Sequence, residues 1–432
     1  MRSESERMTD APIPMSLLPD SAVVGDDGRL AVAGVDMVDL AHEFGTPLFV
    51  YDEAHLRQRC RDAVSAFGEG VAYGGKAFLC TAMARLVTEE GMRLDVATGG
   101  EMHVALAAGV DPSVLVFHGN NKSDDELAAA LERGVGRIVV DSFDELDRLE
   151  RLTSGRAEPQ PVMVRVTPGV EAHTHEYVRT GQVDSKFGFG IAAGDAHRAV
   201  ARVIAMPSLR LVGIHAHIGS QIFLLHSYAQ AINTLAAFMR DVEVEELCLG
   251  GGLGVAYVSG EETVPITAWA GELRAACRDE GIDARVTAEP GRAIAATAGL
   301  TLYRVGTVKE IPEVRTYVSV DGGMSDNPRP VLYGSGYEAF LPARANAPRP
   351  RVVTIVGKHC ESGDIVVRDA RVPADIAVGD VLCTPVTGAY GHSMASNYNK
   401  VPRPAVVFVS DGSARVVVRR ETYDDLVRLD EP

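Results

Sequence analysis

Lys76 is the first residue in this sequence whose position indicates chemistry. It follows an apolar segment, residues 71–75, whose composition predicts a β-strand. A lysine at the end of a barrel strand can lie in the barrel mouth, where desolvation lowers its pKa and makes its amine a nucleophile toward carbonyl groups. The alternative is a solvated lysine at a strand end. Residues 70–76 also fit G-x-x-x-x-G-K, but Ala77 has no hydroxyl for Mg²⁺, so nucleotide binding is only weakly indicated.

Two glycine-containing segments indicate a phosphate group. Gly250, Gly251 and Gly252 follow a predicted strand in LGGGLG, and Pro290 and Gly291 follow the next strand in AEPGR. Glycine lets backbone N–H groups approach a phosphate closely. In (β/α)8 barrels the loops after the seventh and eighth strands commonly bind phosphate. The two segments together therefore predict a ligand that carries a phosphate.

Histidines lie near another strand end. His215 and His217 in HAHIGS are two residues apart, so in a strand their side chains point the same way. This spacing would suit a metal ion, as would that of His173 and His175, so a metal-dependent hydrolase barrel is an alternative, although the later strand ends carry glycine loops instead of further ligands. His217 could instead stack on a planar ring, or be a hydrogen-bonded core histidine. All three interpretations remain open on the residues alone.

Glu289 closes the last predicted barrel strand, just before a Pro-Gly pair. A buried carboxylate is costly unless it pairs with a cation. A protonated pyridine nitrogen would supply that cation, and a salt bridge with Arg292 is the alternative. Lys76, the glycine segments, His217 and Glu289 together are typical of a site for pyridoxal 5′-phosphate (PLP).

Two later segments carry further candidate site residues. Cys360 and Glu361 lie in CESGD, whose composition indicates an exposed functional loop where a thiol can donate a proton. The alternative for Cys360 is a small buried hydrophobic residue. Arg329 and Tyr333 lie in the turn-rich segment DGGMSDNPRPVLYG, which suits recognition of a carboxylate.

These residues require a scaffold that brings strand ends together. Eight short apolar segments alternate with helical patterns, which predicts an α/β fold, a (β/α)8 TIM barrel, with a doubly wound open sheet as the alternative. The predicted strands are 71–75, 93–97, 114–117, 137–140, 162–166, 211–217, 246–250 and 285–289. The predicted helices are 80–91, 100–109, 123–134, 142–152, 195–205, 226–240 and 266–281.

After about residue 300 the pattern becomes β-rich with turns, which predicts a separate antiparallel domain of sandwich or barrel type. The β-like segment 21–50 is expected to join this domain. The predicted organisation is therefore a flexible tail over 1–20, the β segment over 21–50, a PLP-binding barrel over 51–300 and a C-terminal β domain over 301–432.

The composition argues against several classes of partner. The net charge is −17, from 42 basic and 59 acidic residues, which disfavours nucleic acid and anionic membrane surfaces. No run of about 18 apolar residues occurs, so we expect no membrane span. The six cysteines form no C-x-x-C pair and indicate free thiols in a reducing cytoplasm.

The sequence resembles the diaminopimelate decarboxylases, a branch of the alanine-racemase-like fold family of PLP enzymes. The resemblance runs from about residue 25 to about residue 428, on motifs in the same order: YGGKAF, LDVATGGE, FHGNNKS, EAHTHEY, KFGFG, HIGSQI, LGGGLG, EPGRAI, VDGGMSDNPRP, CESGDI and GAYG. It implies PLP-dependent removal of CO2 from meso-2,6-diaminopimelate to give L-lysine, the last step of lysine biosynthesis, with no metal ion. The alternative is a PLP decarboxylase acting on ornithine, arginine or lysine.

The resemblance also implies roles for individual residues. Lys76 would bind PLP covalently, His217 would stack on its ring and Glu289 would contact the ring nitrogen. Cys360 would donate a proton and Glu361 would bind the distal amino group of the substrate. The family forms a head-to-tail homodimer in which Cys360 and Glu361 complete the site of the partner subunit. The cofactor would also contact Ser220, Gly250, Gly251, Gly252, Pro290, Gly291, Arg292 and Tyr390, and the substrate would contact Arg292, Arg329, Tyr333 and Tyr390.

Overall fold

The computed structural model describes residues 11–169, 185–217, 219–222 and 226–431. These residues form two compact units. The barrel unit contains the described residues of Arg57–Val255 and Thr263–Ile294, and the β unit contains those of Met1–Leu56, Ala256–Glu262 and Ala295–Pro432. The segment Ala256–Glu262 thus belongs to the β unit, although it lies inside the range predicted for the barrel domain.

Eight parallel strands form the sheet of the barrel unit, each pairing with the next in chain order. They are Ala72–Gly74, Arg93–Val96, Leu115–Phe117, Arg137–Val140, Gln160–Thr167, Leu209–Ala216, Glu246–Cys248 and Arg285–Thr287, and the short strand Phe189–Gly190 pairs with the fifth. The amide of Ala72 donates to the carbonyl of Ala288 (3.0 Å), and that of Gly74 donates to the carbonyl of Pro290 (3.3 Å). These hydrogen bonds join the first strand to the segment after the eighth. The predicted barrel is confirmed, and the open-sheet alternative was wrong.

Seven helices of the barrel unit begin and end close to the predicted bounds, whereas Glu53–Phe67 and Arg292–Ala295 were not predicted. The helices of this unit are Glu53–Phe67, Thr81–Glu89, Gly99–Ala107, Asp124–Arg133, Phe143–Thr153, Asp195–Ala205, His226–Met239, Ile266–Asp279 and Arg292–Ala295, the first of which starts in the β unit. Local capping explains the agreement: Ser123 and Glu126 form a capping box at the start of one helix, and Gly134, with φ 74°, ends it.

The barrel interior is packed with small and medium apolar side chains. One buried cluster comprises Ala72, Val116, Val139, Met163, Val212 and Cys248, each at most 3% exposed. A filled interior leaves the ends of the strands as the places where polar side chains can gather. In this class of fold, the carboxyl ends are where functional sites lie.

Lys122 and Glu145 form a buried ion pair that fixes the loop after the third barrel strand. The Lys122 side chain is 1% exposed, and its Nζ lies 2.7 Å from Oε1 of Glu145. The same nitrogen donates to the carbonyls of Gly119 and Val139, both at 2.8 Å. All three ammonium hydrogens are therefore used inside the protein.

Replacing Lys122 with methionine is expected to lower the free energy of unfolding by about 3–5 kcal/mol, because Glu145 loses its buried counter-ion. Burial raises the pKa of Glu145, and Lys122 lowers it. Without Lys122, the pKa of Glu145 in the folded variant should lie further above its value in the unfolded chain. Stability is then lost as pH rises, and the deficit should be larger at pH 8 than at pH 5. Denaturant unfolding at both pH values measures this. Lys122→Met/Glu145→Leu should recover part of the loss, and a deficit independent of pH would contradict the explanation.

The β unit is built on one large sheet and one small sheet. The large sheet has the strand order Ile365–Val372, Arg351–Val356, Arg315–Val320, Gly299–Ile311, Leu48–Asp52, Ala405–Ser410 and Ser413–Val418, with Val381–Pro385 also paired to Gly299–Ile311. The small sheet is Val23–Val24, Leu30–Val32 and Val35–Asp36, and the helices are Met37–Phe44 and Arg329–Tyr333. The N-terminal segment therefore contributes a strand to the C-terminal sheet, as the predicted fold class requires.

The large sheet is mixed, so the expectation of a purely antiparallel domain was wrong. Leu48–Asp52 pairs in parallel with Ala405–Ser410, and Arg315–Val320 pairs in parallel with Arg351–Val356. Both pairs are joined by long connections that return the chain to the same end of the sheet, which parallel pairing needs. The pattern of short β segments could not reveal this.

The described part of the N-terminal tail is packed, which corrects the predicted flexibility of residues 1–20 for positions 11–20. Ile13, Leu17 and Leu18 are buried. The Arg349 guanidinium donates to the carbonyls of Ala11 and Pro12. Three apolar residues in so short a segment give no periodic signal, so the sequence looked like a loose tail. Residues 1–10 lie outside the described range.

None of the helices in the described ranges has both the length and the apolar character needed to cross a bilayer.

Candidate active site

Lys76 lies just beyond the first barrel strand, in the short 3₁₀ turn Gly75–Ala77. Its side chain is exposed, so this chain alone does not supply the burial expected for a lysine in a barrel mouth. Burial has the largest effect on the pKa values of Asp95, Glu101 and His217, and the charge of Lys76 lowers each of them. The lysine amine is therefore close to titratable groups of the barrel.

The other described lysines of the barrel unit are less suited to covalent chemistry. Lys122 uses its three ammonium hydrogens in buried hydrogen bonds. Lys186 is exposed, with its Nζ 5.0 Å from the centre of the Phe187 ring. Lys76 is thus the lysine of this unit that combines accessibility with a position at a strand end.

Glu289 is buried between two histidines. Its Oε1 lies 2.9 Å from Nε2 of His118, and its Oε2 lies 3.0 Å from Nε2 of His215. Burial would raise the pKa of Glu289, but the charges and hydrogen bonds of the two histidines lower it well below its ordinary value. The group is therefore held as a carboxylate. Its partners are these histidines and not Arg292, whose Nη2 donates to the Ser220 hydroxyl at 2.8 Å.

Asp95 lies beside the same cluster and differs from Glu289 in acidity. Its Oδ1 is 3.7 Å from Nε2 of His118. Burial raises the pKa of Asp95 to about 7, while His118 and Lys76 lower it and Glu289 raises it. Near neutral pH the cluster thus holds one firmly ionised carboxylate and one that exchanges a proton.

His217 has different partners from His215, so the two rings do not converge on one point. Its Nδ1 accepts a hydrogen bond from the amide of Gly251 at 3.2 Å. Burial, followed by the charges of Lys76 and Arg165, lowers the pKa of His217 well below its usual value. The ring is therefore neutral, with its proton on Nε2. A neutral planar ring suits the stacking role predicted for it.

Of the histidines predicted as possible metal ligands, His215 belongs to a cluster of potential ligands in the described residues and His217 does not. His173 and His175 lie outside the described residues. His118, His215 and Glu289 have potential ligand atoms within 4.8 Å of one another. Ligands around a tetrahedral ion with bonds of about 2.0–2.1 Å are roughly 3.3 Å apart, whereas the two N···O contacts here are 2.9 and 3.0 Å. The cluster is therefore arranged as hydrogen bonds around a carboxylate.

The glycines after the seventh strand are required by the backbone. Gly250 and Gly252 have φ values of 65° and 110°. A Cβ on Gly252 would lie 2.4 Å from the carbonyl oxygen of Gly219, and one on Gly251 would lie 2.6 Å from that of Glu289. A side chain on Gly251 or Gly252 would collide with the backbone of the chain itself, so glycine is required there, and the phosphate contact of this loop stays a prediction.

The other predicted site residues lie in the β unit. Cys360 is the one exposed cysteine among the six. Its backbone N–H donates to Oδ1 of Asn399 at 3.3 Å, and the neighbouring Glu361 accepts a short hydrogen bond from the Tyr398 hydroxyl. This setting fits an accessible functional loop better than a small core residue.

Arg329 is a buried cation surrounded by tyrosines. It is 5% exposed, and its Nη1 donates to the Tyr337 hydroxyl at 2.6 Å. The guanidinium carbon lies 4.1 Å from the centre of the Tyr257 ring and 5.5 Å from that of Tyr337. Among the residues that the structure describes, no carboxylate forms an ion pair with it. A buried guanidinium without an internal anion is suited to bind an anionic group of a ligand.

Tyr333 and Tyr390 are half-buried in the same unit. Tyr390 has φ 60°, in the left-handed region that non-glycine residues rarely adopt. Such conformations cluster at functional sites, where the surrounding structure must hold them. The substrate and cofactor contacts of both tyrosines stay predictions.

Comparison with known proteins identifies the family. The family described as pyridoxal-dependent decarboxylase, pyridoxal binding domain, matches residues 53–296. The diaminopimelate decarboxylase of Mycobacterium tuberculosis is 47% identical over 433 residues, which cover 95% of this chain and 97% of the relative. This chain belongs to the diaminopimelate decarboxylase family.

Two further diaminopimelate decarboxylases agree with this assignment. That of Bacillus subtilis is 45% identical over 421 residues, covering 94% of this chain and 96% of the relative. The crystal structure of the M. jannaschii diaminopimelate decarboxylase in complex with L-lysine has a TM-score of 0.88 at 32% identity, covering 96% of this chain and 98% of that chain.

The residues present in this chain fit PLP, the cofactor of the family. A carboxylate has about four acceptor positions, and the histidines use two of those on Glu289, which leaves room for a protonated ring nitrogen. The side-chain-free loop at Gly250–Gly252 suits a phosphate, and Lys76 offers an accessible amine. The donor set therefore matches the ring, the phosphate and the aldehyde of the cofactor.

Several residues of the candidate site could not be assigned a role from the sequence. Asp95 lies near the end of the second barrel strand and His118 directly follows the third. Their positions at carboxyl strand ends were a usable signal, because functional side chains of barrels gather there. Tyr257 and Tyr337 gave no signal, since they lie outside any strand or recognisable motif and contact Arg329 only in the folded chain.

Proposed function

We propose that this chain removes CO2 from meso-2,6-diaminopimelate and releases L-lysine, the last step of lysine biosynthesis. Similarity to diaminopimelate decarboxylases over nearly the whole chain supports the proposal, as does a site that fits PLP. The observation that carries the choice of substrate is Arg329, a buried cation whose described neighbours are tyrosines.

Arg329 discriminates between substrates by their distal end. Meso-diaminopimelate has a carboxylate and an amino group there, whereas ornithine, lysine and arginine have no distal carboxylate. A guanidinium binds a carboxylate through charge-assisted hydrogen bonds. With a substrate that lacks the carboxylate, the buried cation would remain without an anion, which is costly. Tyr333 adds a polar group at the end of the short helix that begins at Arg329, and Glu361 supplies the charge for the distal amino group.

The residues of the chain divide the chemistry between them. PLP, when bound, would supply an electron sink for the bond between Cα and the departing carboxylate. Lys76 would hold the cofactor covalently through its side-chain amine. Glu289 would place a negative charge at the ring nitrogen, and neutral His217 would stack on the ring. Cys360 then delivers a proton to Cα.

The remaining contacts hold the two ligands in place. The phosphate is bound by the loops that contain Gly250, Gly251 and Gly252 and Pro290 and Gly291, with Ser220 beside them. Arg292 donates a hydrogen bond to the Ser220 hydroxyl, which fixes the position of its guanidinium, and this guanidinium also contacts the substrate. Tyr390 contacts both cofactor and substrate.

We also propose a head-to-tail homodimer in which Cys360 and Glu361 complete the site of the partner subunit. Both side chains are exposed in a single chain, as residues that serve a second subunit must be. All six cysteines are free thiols, which supports the reducing cytoplasm as the location. The strongly acidic net charge argues against a nucleic-acid partner.

The activity is tested by incubating the purified chain with meso-diaminopimelate, with and without added PLP, and measuring CO2 and L-lysine. Both products should form, and should depend on PLP. Ornithine, arginine and lysine are assayed in parallel. A higher kcat/KM for one of these would replace the proposed substrate with the alternative class, and no turnover of any of them would contradict the decarboxylase proposal.

Replacing Arg329 with methionine is expected to lower kcat/KM for meso-diaminopimelate by about 10²-fold or more, because a buried charge-assisted contact is lost. The loss should appear mainly in KM, while PLP binding stays unchanged. Steady-state kinetics and a cofactor titration measure the two effects. Arg344→Met is the matched control, since Arg344 pairs with Asp375 and Asp380 at the surface. Equal losses in the two variants would indicate a general effect on folding instead of substrate binding.

A further inference from the structure

We infer that His118 and His215 are positioning residues of the cofactor site, which hold the Glu289 carboxylate ionised and in one orientation toward the ring nitrogen of PLP. The inference rests on the proposed role of Glu289 and adds two residues to which sequence reasoning gave no such role. It concerns cofactor binding, so it can be tested without measuring turnover.

The contacts assign one histidine to each carboxylate oxygen. Nε2 of His118 lies 2.9 Å from Oε1, and Nε2 of His215 lies 3.0 Å from Oε2. Two bonds to two different oxygens fix the plane of the carboxylate, which a single donor would leave free to rotate. The histidine rings also contact each other edge to face, with centroids 4.9 Å apart, so each ring limits the movement of the other.

His215 has no other described polar function. Its Nδ1 is buried without a hydrogen-bond partner in the described residues, which leaves Glu289 as the one described polar contact of the ring. A buried polar atom without a partner is costly. The unpaired Nδ1 of His215 destabilises the fold, and the hydrogen bond from Nε2 to Glu289 is the described polar contact that offsets this cost.

The same arrangement favours the charged form of Glu289. N–H donors on both oxygens stabilise the carboxylate more than the neutral acid. Burial alone would raise the pKa of Glu289, and His118 and His215 reverse that effect. Without them, a buried glutamate beside Asp95 would tend to take up a proton and lose its attraction for a protonated ring nitrogen. The histidines thus determine whether Glu289 can act on the cofactor at all.

The experiment compares PLP with its analogue in which C–H replaces the ring nitrogen, because only PLP can bond to Glu289. The dissociation constants of both compounds are measured for the apoprotein of the unaltered chain and of the variants. The unaltered chain should prefer PLP. His118→Leu and His215→Leu should each reduce that preference by about tenfold, since a charge-assisted contact is weakened. Binding of the carbon analogue should change little.

Further variants separate positioning from a general structural role. Glutamine places its Nε2 near that of histidine, so His118→Gln and His215→Gln should restore most of the preference. His118→Asn is the substitute if the leucine variant fails to fold. Its side chain is polar but too short to reach Glu289, so it should reduce the preference for PLP by about as much as expected for leucine. His55→Leu is the matched control, because His55 is a buried histidine with hydrogen bonds to Asp20 and Thr297 in the β unit.

Each outcome bears on a different claim. Equal weakening of PLP and of the carbon analogue in the histidine variants would show a structural role only, and would overturn the inference. An unaltered chain that binds both compounds equally would remove the Glu289 contact and the inference with it. Neither result would affect the proposed decarboxylation, which is decided by its own assay.

Discussion

Replacing Lys76 with alanine should lower turnover of meso-diaminopimelate by about 10⁴-fold or more and abolish covalent attachment of PLP. Lys76 is the accessible lysine at a carboxyl strand end, while Lys122 uses its ammonium hydrogens in buried bonds. Borohydride treatment of the unaltered chain should fix the cofactor to the peptide that contains Lys76. The chain has only six lysines, so peptide mapping assigns the site without ambiguity.

The control for this experiment is Lys309→Ala, which removes an exposed lysine from strand Gly299–Ile311 of the β unit. It should keep both the covalent cofactor and full turnover. Label on Lys186 or Lys122 in the unaltered chain would contradict the assignment of Lys76. So would a Lys76→Ala chain that still carries the cofactor covalently.

The scaffold of the site could be predicted because local signals and global fold agree. The eight barrel strands are short apolar segments between helices with strong caps, such as the box formed by Ser123 and Glu126. Lys76, Glu289 and the glycines at 250–252 stand next to these strands in the sequence. The closed barrel then brings their strand ends together; alternation predicted this fold but left an open sheet as the alternative.

The contacts that tune the site could not be predicted in the same way. The bonds from His118 and His215 to Glu289 span 171 and 74 residues, so no local pattern links them. His215 looked like a possible metal ligand because its spacing from His217 shows which way the two side chains point but not what they contact. The stacking of Tyr257 and Tyr337 on Arg329 likewise depends on packing in the β unit, where the mixed strand order was also missed. Sequence indicates which residues can react, and the fold decides their neighbours.

Replacing Cys360 with alanine should lower turnover by about 10²–10⁴-fold while PLP stays bound, since a positioned proton donor is lost and the cofactor contacts are not. Cys360 is exposed, so the substitution leaves no cavity in the core. Steady-state kinetics with saturating PLP measure the loss, and the absorbance of bound PLP verifies loading. Ser362→Ala is the matched control, because Ser362 is an exposed residue of the same loop. Near-normal turnover in Cys360→Ala would remove the thiol from the mechanism.

Mixing the two inactive chains tests where Cys360 acts. If it completes the site of the partner subunit, a hybrid of Lys76→Ala and Cys360→Ala chains contains one intact site, with the lysine from one chain and the thiol from the other. Random reassembly makes hybrids of about half the dimers, so the mixture should recover roughly a quarter of the unaltered activity. If each chain used its own thiol, every site in the hybrid would lack one group. A mixture that stays inactive after verified subunit exchange would therefore contradict sites shared across the interface.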